Sequence, residues 1–250
     1  MALDFTSSLI LVIKKATLDF GPLFVLGKPN IYQFCSPTTN RMKTSQLVTV
    51  LVFATCFYSV GAQDLSKWPA DSIQMANTAG HTATLTPEEK KLIQLINLAR
   101  MDGKAFMNRI AIPYIKANDK DDDEYVEGLY DDLRKTRGLH LLIPLETLHK
   151  SAAHHATDMG AKGGLGHNSS DGTNFTMRIH KFHKPVTVAE NINYGYNDAV
   201  SILMEMLIDE GVTERTHRHN ILGKTFNHIG VSIKPHKMME FNCVMDFSVE

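Results

Sequence analysis

The stretch that decides the fold is "HIGVSIKPHKMMEFNCVMDFS", residues 228–248. In its first half Ile229, Val231 and Ile233 alternate with small or polar residues, and the same alternation runs from Met239 to Phe247. Apolar residues at every second position predict β-strands, and the intervening Pro235 and its neighbours predict the turn between them. We therefore expect a β-hairpin with one buried face.

Three amphipathic helices are predicted upstream of this hairpin. The first begins at Thr86, where Pro87 and Glu89 complete the pattern of a capping box. The second runs from about residue 145 to 159, and the third follows Asp198 and ends near Gly211. Helices first and antiparallel strands last favour a mixed domain in which helices cover a sheet.

The composition narrows the class of protein. The chain has 250 residues, of which 43% are hydrophobic and 21% charged, as in ordinary globular proteins. The net charge of −1 provides no positive field, so we expect no nucleic-acid partner. The twelve histidines are the chemically informative residues, and all of them follow residue 80.

Residues 42–62 have the pattern of a secretory signal peptide. The basic start "MKTSQ" is followed by "LVTVLVFATCFYSVGA", which ends in small residues and predicts cleavage after Ala62. The apolar run is too short for a membrane span. We therefore expect a secreted protein without a transmembrane segment, translated from Met42, with residues 1–41 as a gene-model extension.

The mature chain is expected to consist of one domain. Residues 63–85 are polar and aperiodic and predict a linker, so the domain would occupy residues 86–250. Signal cleavage would leave Cys243 as the only cysteine, on the apolar side of its strand. We expect a buried, unreactive thiol there and no internal disulfide.

Candidate site residues lie in three separate segments. They are His167 in "GLGHNSSDGTNFTMRI" (164–179), Glu190 in "VAENINYG", and His217 or His219 in "THRHNIL". Two imidazoles and a carboxylate suit zinc or a similar divalent ion, or general acid–base chemistry. The chain has no His-Glu-x-x-His motif and no Gly-x-Ser-x-Gly elbow, so neither a local zinc motif nor a serine hydrolase is indicated.

The loop around His167 also contains two glycosylation sequons, at Asn168 and Asn174. We expect Asn174 to be the better acceptor, because a glycan on Asn168 would stand beside the site. Arg178 is expected to anchor the loop by a charge-assisted hydrogen bond.

Six segments together resemble the CAP superfamily, the SCP-type domains of cysteine-rich secretory, antigen 5 and pathogenesis-related proteins. They are "LINLAR", "GHNSSDGTNFTMRI", "AENINYG", "HRHNIL", "HIGVSI" and "VMDFS". The resemblance covers roughly residues 88–248 and is closest to the disulfide-poor, bacterial-style branch. It implies secretion and an α-β-α sandwich with a central antiparallel sheet.

The resemblance also implies a cleft with two histidines and two acidic residues that sometimes holds a divalent metal. His167, Glu190 and His217 match three of these positions, which leaves His219 outside the pattern. At the fourth, Met206 stands where a glutamate is expected, and Asp209 is the substitute that we predict, since it lies i+3 from Met206.

Three functions remain open at this point. The first is a secreted, monomeric binding module for a lipid, sterol or extracellular protein, with zinc or another divalent ion in the His/Glu cleft. The second is a metal-assisted extracellular hydrolase with Glu190 as the base. The third is a structural domain in which the polar cluster only ties loops together.

Overall fold

The structure is a computed structural model that describes residues 65–120, 124–212 and 214–250. The predicted signal peptide and the residues before it lie outside these ranges. The α-helices are α1 (Ala70–Ala76), α2 (Pro87–Met101), α3 (Gly103–Phe106), α4 (Ile112–Ala117), α5 (Glu124–Lys135), α6 (Glu146–Lys162), α7 (Phe175–Phe182), α8 (Ala199–Ile208) and α9 (Thr216–Leu222). A π-helical turn (Met107–Ala111) connects α3 to α4. The strands are β1 (Ile143–Pro144), β2 (Val188–Tyr194), β3 (His228–His236) and β4 (Glu240–Ser248).

The four strands form one sheet in the order β1-β3-β4-β2. The predicted hairpin is confirmed as β3 and β4, although the turn lies later than predicted, because Pro235 and His236 still belong to β3. Strand β2 pairs antiparallel with the other edge of β4. The two-residue β1 is parallel to β3 and makes the sheet mixed at that edge. In the register of the central strands, Asp246 lies opposite Gly230 on one side and Glu190 on the other.

The prediction that one face of the hairpin is buried is wrong, because both faces are buried. Val231 and Met245 belong to the main core. On the opposite face Val244 packs against Ala152 and Ala156 of α6. Helices therefore cover both sides of the sheet, which gives the α-β-α sandwich.

Gly230 allows α6 to lie directly on β3. A Cβ atom at this position would lie 2.2 Å from the carbonyl carbon of Leu148 and 2.3 Å from the amide nitrogen of His149. No side chain fits in that space, so the close approach depends on glycine.

The start of α2 confirms the predicted capping box. Thr86 accepts a hydrogen bond from the Glu89 amide, and a Glu89 carboxylate oxygen accepts one from the Thr86 amide at 2.8 Å. The other oxygen of Glu89 accepts from the Ile233 amide of β3 at 2.8 Å. One side chain therefore begins the helix and attaches it to the sheet.

Residues 65–85 are not the linker that was predicted. They form a short 3₁₀ turn and α1, and they bury Trp68, Ala76, Ala79 and Leu85 in the main core. Sparse apolar residues in a polar segment have no helical or strand period, so this packing was not visible in the pattern.

Two predicted helix ends differ from the structure. Helix α6 continues to Lys162 and is terminated by Gly163 in the left-handed conformation. Helix α8 ends at Ile208, earlier than predicted, because Asp209 takes the left-handed conformation with φ of 58° and ψ of 40°. Across the described ranges, no helix is both long and apolar enough to cross a membrane.

Candidate functional site

The loop that carries His167 connects α6 to α7 and is held at several points. The Tyr194 hydroxyl accepts a hydrogen bond from the Gly166 amide at 2.9 Å, and His155 Nε2 lies 3.0 Å from the Gly166 carbonyl oxygen. Asp158 accepts hydrogen bonds from both the amide and the hydroxyl of Ser170. These contacts fix the backbone on both sides of His167.

His167 and Glu190 form the first of two histidine–carboxylate pairs. His167 Nδ1 lies 2.9 Å from Glu190 Oε1, and the Glu190 side chain is fully buried while that of His167 is 49% exposed. The fully buried Arg178 binds the other Glu190 oxygen. It also donates to the His167 carbonyl at 3.0 Å and to the Ser169 hydroxyl at 3.2 Å. The prediction that Arg178 anchors the loop is confirmed, and its ion pair with Glu190 adds a role that was not predicted.

The charge state of Glu190 follows from these contacts. Burial alone would raise the pKa of Glu190, but the hydrogen bond from His167 and the positive charge of Arg178 outweigh it and lower the pKa. A carboxylate with a lowered pKa and partners on both oxygens is a poor general base.

His217 and Asp209 form the second pair. His217 Nδ1 lies 2.6 Å from Asp209 Oδ1, while Asp209 Oδ2 accepts hydrogen bonds from the amides of His217 and Arg218 at 3.0 and 3.2 Å. The left-handed turn at Asp209 brings the carboxylate back to the start of α9. Asp209 thus contacts His217 as predicted. It was chosen because it lies i+3 from Met206 on a helix, but the helix ends at Ile208, so that spacing is not the reason for the contact. His219 is exposed and belongs to neither pair.

The two pairs share one hydrogen-bonding pattern. An ionised carboxylate has no proton to donate, so Nδ1 of each imidazole carries the hydrogen. In the neutral form of each ring, Nε2 then keeps its lone pair. A histidine held in this way by a carboxylate is the usual arrangement of a metal-binding histidine.

Strand β2 connects the surroundings of the two pairs. Glu190 and Asn191 are consecutive, so their side chains point to opposite faces of the sheet. Asn191 Nδ2 donates to the His217 carbonyl at 3.0 Å, and Asn220 donates to Asn191 at 2.8 Å. The start of α9 is thereby attached to β2 beside Glu190.

The pairs do not merge into a four-residue ligand set. Among the residues that the structure describes, no three His, Cys, Asp or Glu side chains are arranged to hold one metal ion. The nitrogen atoms that remain able to bind a metal are Nε2 of His167 and of His217, and the carboxylates orient the rings.

A buried polar cluster lies beneath Glu190. It contains the Ser151 hydroxyl, Nδ1 of His155, Nε of Arg178 and both carboxyl oxygens of Asp246, all of them buried. Burial raises the pKa of Asp246 well above its usual value, and the negative charge of Glu190 raises it further. Asp246 is therefore uncharged where Glu190 is ionised.

Sequence reasoning missed this cluster, although one signal was present. Asp246 lies within a predicted strand, where aspartate is depleted. Ser151 and His155 are four residues apart and therefore share a face of α6. Of the neighbouring pair on this helix, His154 is exposed and His155 is buried.

The remaining predicted residues are placed as follows. Asn168 and Asn174 are both exposed, and Asn174 also caps α7 by accepting a hydrogen bond from the Met177 amide at 2.9 Å. Cys243 is buried as predicted, and burial raises the pKa of its thiol well above the usual value.

Comparison with known proteins gives one family match. The model of the cysteine-rich secretory protein family (CAP) matches residues 128–247. No curated protein sequence matches the chain.

Three solved bacterial structures are similar, each at low identity. An extracellular SCP-domain protein from Bacillus anthracis is 19% identical with a TM-score of 0.41, and the match covers 67% of this chain and 45% of that one. An outer surface protein from Borrelia burgdorferi is 22% identical with a TM-score of 0.39, and the match covers 51% of this chain and 93% of that one. A cysteine-rich secretory protein from Staphylococcus aureus is 20% identical with a TM-score of 0.33, and the match covers 49% of this chain and 38% of that one. The match thus spans less than half of the Bacillus protein.

Proposed function

We propose that this chain, which matches the cysteine-rich secretory protein (CAP) family over residues 128–247, is a secreted binding module whose His167 and His217 hold a divalent metal ion. The module would present this site to the lipid, sterol or protein partner that the resemblance implies.

The observation that carries the proposal is the matched orientation of the two histidines. In each pair Nδ1 faces a buried carboxylate, at 2.9 Å for His167 and 2.6 Å for His217. The side chains are 49% and 23% exposed, so each ring is reachable from solvent on its remaining side. Imidazole nitrogen is a preferred ligand of zinc and other borderline divalent ions.

The donor set limits the strength of binding. Structural zinc sites use four protein ligands and catalytic sites three, whereas two histidines leave the other positions to water or a partner. We therefore expect an exchangeable ion. The contacts of Glu190 argue against the hydrolase alternative, because this residue would have to leave Arg178 to accept a proton.

The experiment is a calorimetric zinc titration of the protein. We expect one ion per chain, and we expect the double variant His167→Ala/His217→Ala to bind at least tenfold more weakly, a loss of about 1.4 kcal/mol or more. His183→Ala is the matched control, because His183 forms a carboxylate pair with Glu250 at 2.7 Å outside the site.

A second variant tests the orienting role of the carboxylate. Asp209→Asn tolerates the left-handed backbone and keeps a hydrogen-bonding side chain. Since it removes the charge that orients His217, we expect zinc affinity to fall by about 10- to 100-fold. Absence of zinc binding in the wild type, or an equal loss in His183→Ala, would contradict the proposal.

A further inference from the structure

A second candidate site lies where the segment after α5 meets the end of α9. Arg137, Gly138, Leu139, His140 and Lys224 line a pocket of about 260 Å³. Pockets for drug-sized ligands typically measure about 300–1,000 Å³, so this one suits a single small group.

The lining is positively charged and is not neutralised by ion pairs. Arg137, His140 and Lys224 are all exposed, and no ion pair involves any of them within the described ranges. The backbone of Arg137 pairs with that of the acidic residue Asp102 in an isolated antiparallel β-bridge. Its carboxylate accepts a hydrogen bond from the Ala105 amide at 2.9 Å and caps α3.

The two walls of the pocket are fixed by one buried side chain. The Arg100 guanidinium donates to the His140 carbonyl at 2.8 Å on one wall and to the Gly223 carbonyl at 2.9 Å on the other. The Leu139 amide donates to the Arg100 carbonyl at 3.1 Å. The backbone that carries Arg137 and Lys224 is therefore held in place on both walls of the pocket.

We propose that this pocket binds a phosphate or sulfate group, with Arg137 as a bidentate ligand and Lys224 as a point charge. Planar guanidinium groups match the oxygens of such anions, and an ammonium group adds attraction without a fixed geometry. The site is independent of the metal proposal, because it lies at the end of α9 opposite to His217.

The test is a titration of the protein with inorganic phosphate and, separately, inorganic sulfate at constant ionic strength, followed by amide NMR. We expect saturable shifts at Gly138 and Leu139 with at least one of the two anions, and the difference between them identifies which group the site prefers. In Arg137→Gln/Lys224→Gln we expect affinity to fall at least tenfold. Both substitutions are on exposed side chains, and a thermal melt confirms that the variant is folded.

Lys162→Gln/Lys237→Gln is the matched control, since it removes two positive charges from exposed positions elsewhere. It should bind like the wild type. Equal weakening in both double variants would show general screening of charge and overturn the proposal. So would the lack of saturable shifts with either anion.

Discussion

The strongest structural prediction concerns Arg178, which we expect to be the main anchor of the His167 loop. The change is Arg178→Met, which keeps most of the aliphatic volume and removes the charge. It leaves the Glu190 carboxylate, whose side chain is fully buried, without its charged partner. Breaking a buried ion pair from one side costs about 3–5 kcal/mol.

Two further hydrogen bonds are lost with the same substitution. They run to the His167 carbonyl and the Ser169 hydroxyl, and each is worth about 1 kcal/mol. The expected loss of about 5–7 kcal/mol is comparable to the whole stability of many domains. We expect a variant that unfolds at much lower urea, followed by circular dichroism and by fluorescence of Trp68, the only tryptophan.

The double variant Arg178→Met/Glu190→Gln separates charge from packing. It leaves no buried carboxylate unpaired, so we expect it to be more stable than Arg178→Met alone, by about 2–3 kcal/mol of coupling. A loss below about 1 kcal/mol in the single variant, or a double variant no more stable than the single, would refute this reasoning.

Three further predictions are tested by measuring the free energy of unfolding in urea. Gly230→Ala forces a Cβ to within 2.2 Å of the Leu148 backbone and should lower the free energy of unfolding by at least about 3 kcal/mol. The control is Gly128→Ala, whose Cβ meets only side-chain atoms at 3.2 Å or more and which should be close to neutral. Equal losses in the two variants would contradict the packing of α6 on β3. Burial raises the pKa of Asp246, so the folded state binds a proton that the unfolded chain releases above about pH 4. The stability that Asp246 contributes is therefore present below that pH and is lost as the pH rises towards the folded-state pKa. Over this pH range the Asp246→Asn variant should become more stable relative to the wild type. A difference in unfolding free energy that does not change with pH would contradict this prediction. Thr86→Ala removes the cap of α2 and should cost about 1 kcal/mol, while Thr86→Ser should keep most of it.

The elements that the sequence predicted well are those with a local cause. The capping box needs only Thr86, Pro87 and Glu89, and the hairpin follows from the period of residues 228–248. The second buried face was missed because Gly230 and Asp246 are not apolar. Their burial depends on α6, which comes from about eighty residues earlier in the chain, and no local pattern records that contact.

The site shows the same division. The residues themselves indicated His167, Glu190 and either His217 or His219, and the resemblance to the CAP family selected His217. The structure places His167 and His217 each on a carboxylate. Asp209 was chosen from a helical spacing that ends before it, and it reaches His217 through a left-handed turn that sequence patterns do not indicate. The ion pair between Arg178 and Glu190 required knowledge of which loop lies over which strand.

The central claim is that two carboxylates hold His167 and His217 with Nε2 free to bind a ligand. The most direct test is ¹⁵N NMR of the histidine side chains in the metal-free protein near neutral pH, with His167→Ala and His217→Ala used to assign the signals. We predict that the neutral form of each ring carries its hydrogen on Nδ1. A neutral ring with its hydrogen on Nε2 in place of Nδ1 would contradict the account, because that ring could then neither donate to its carboxylate nor bind a metal through Nε2.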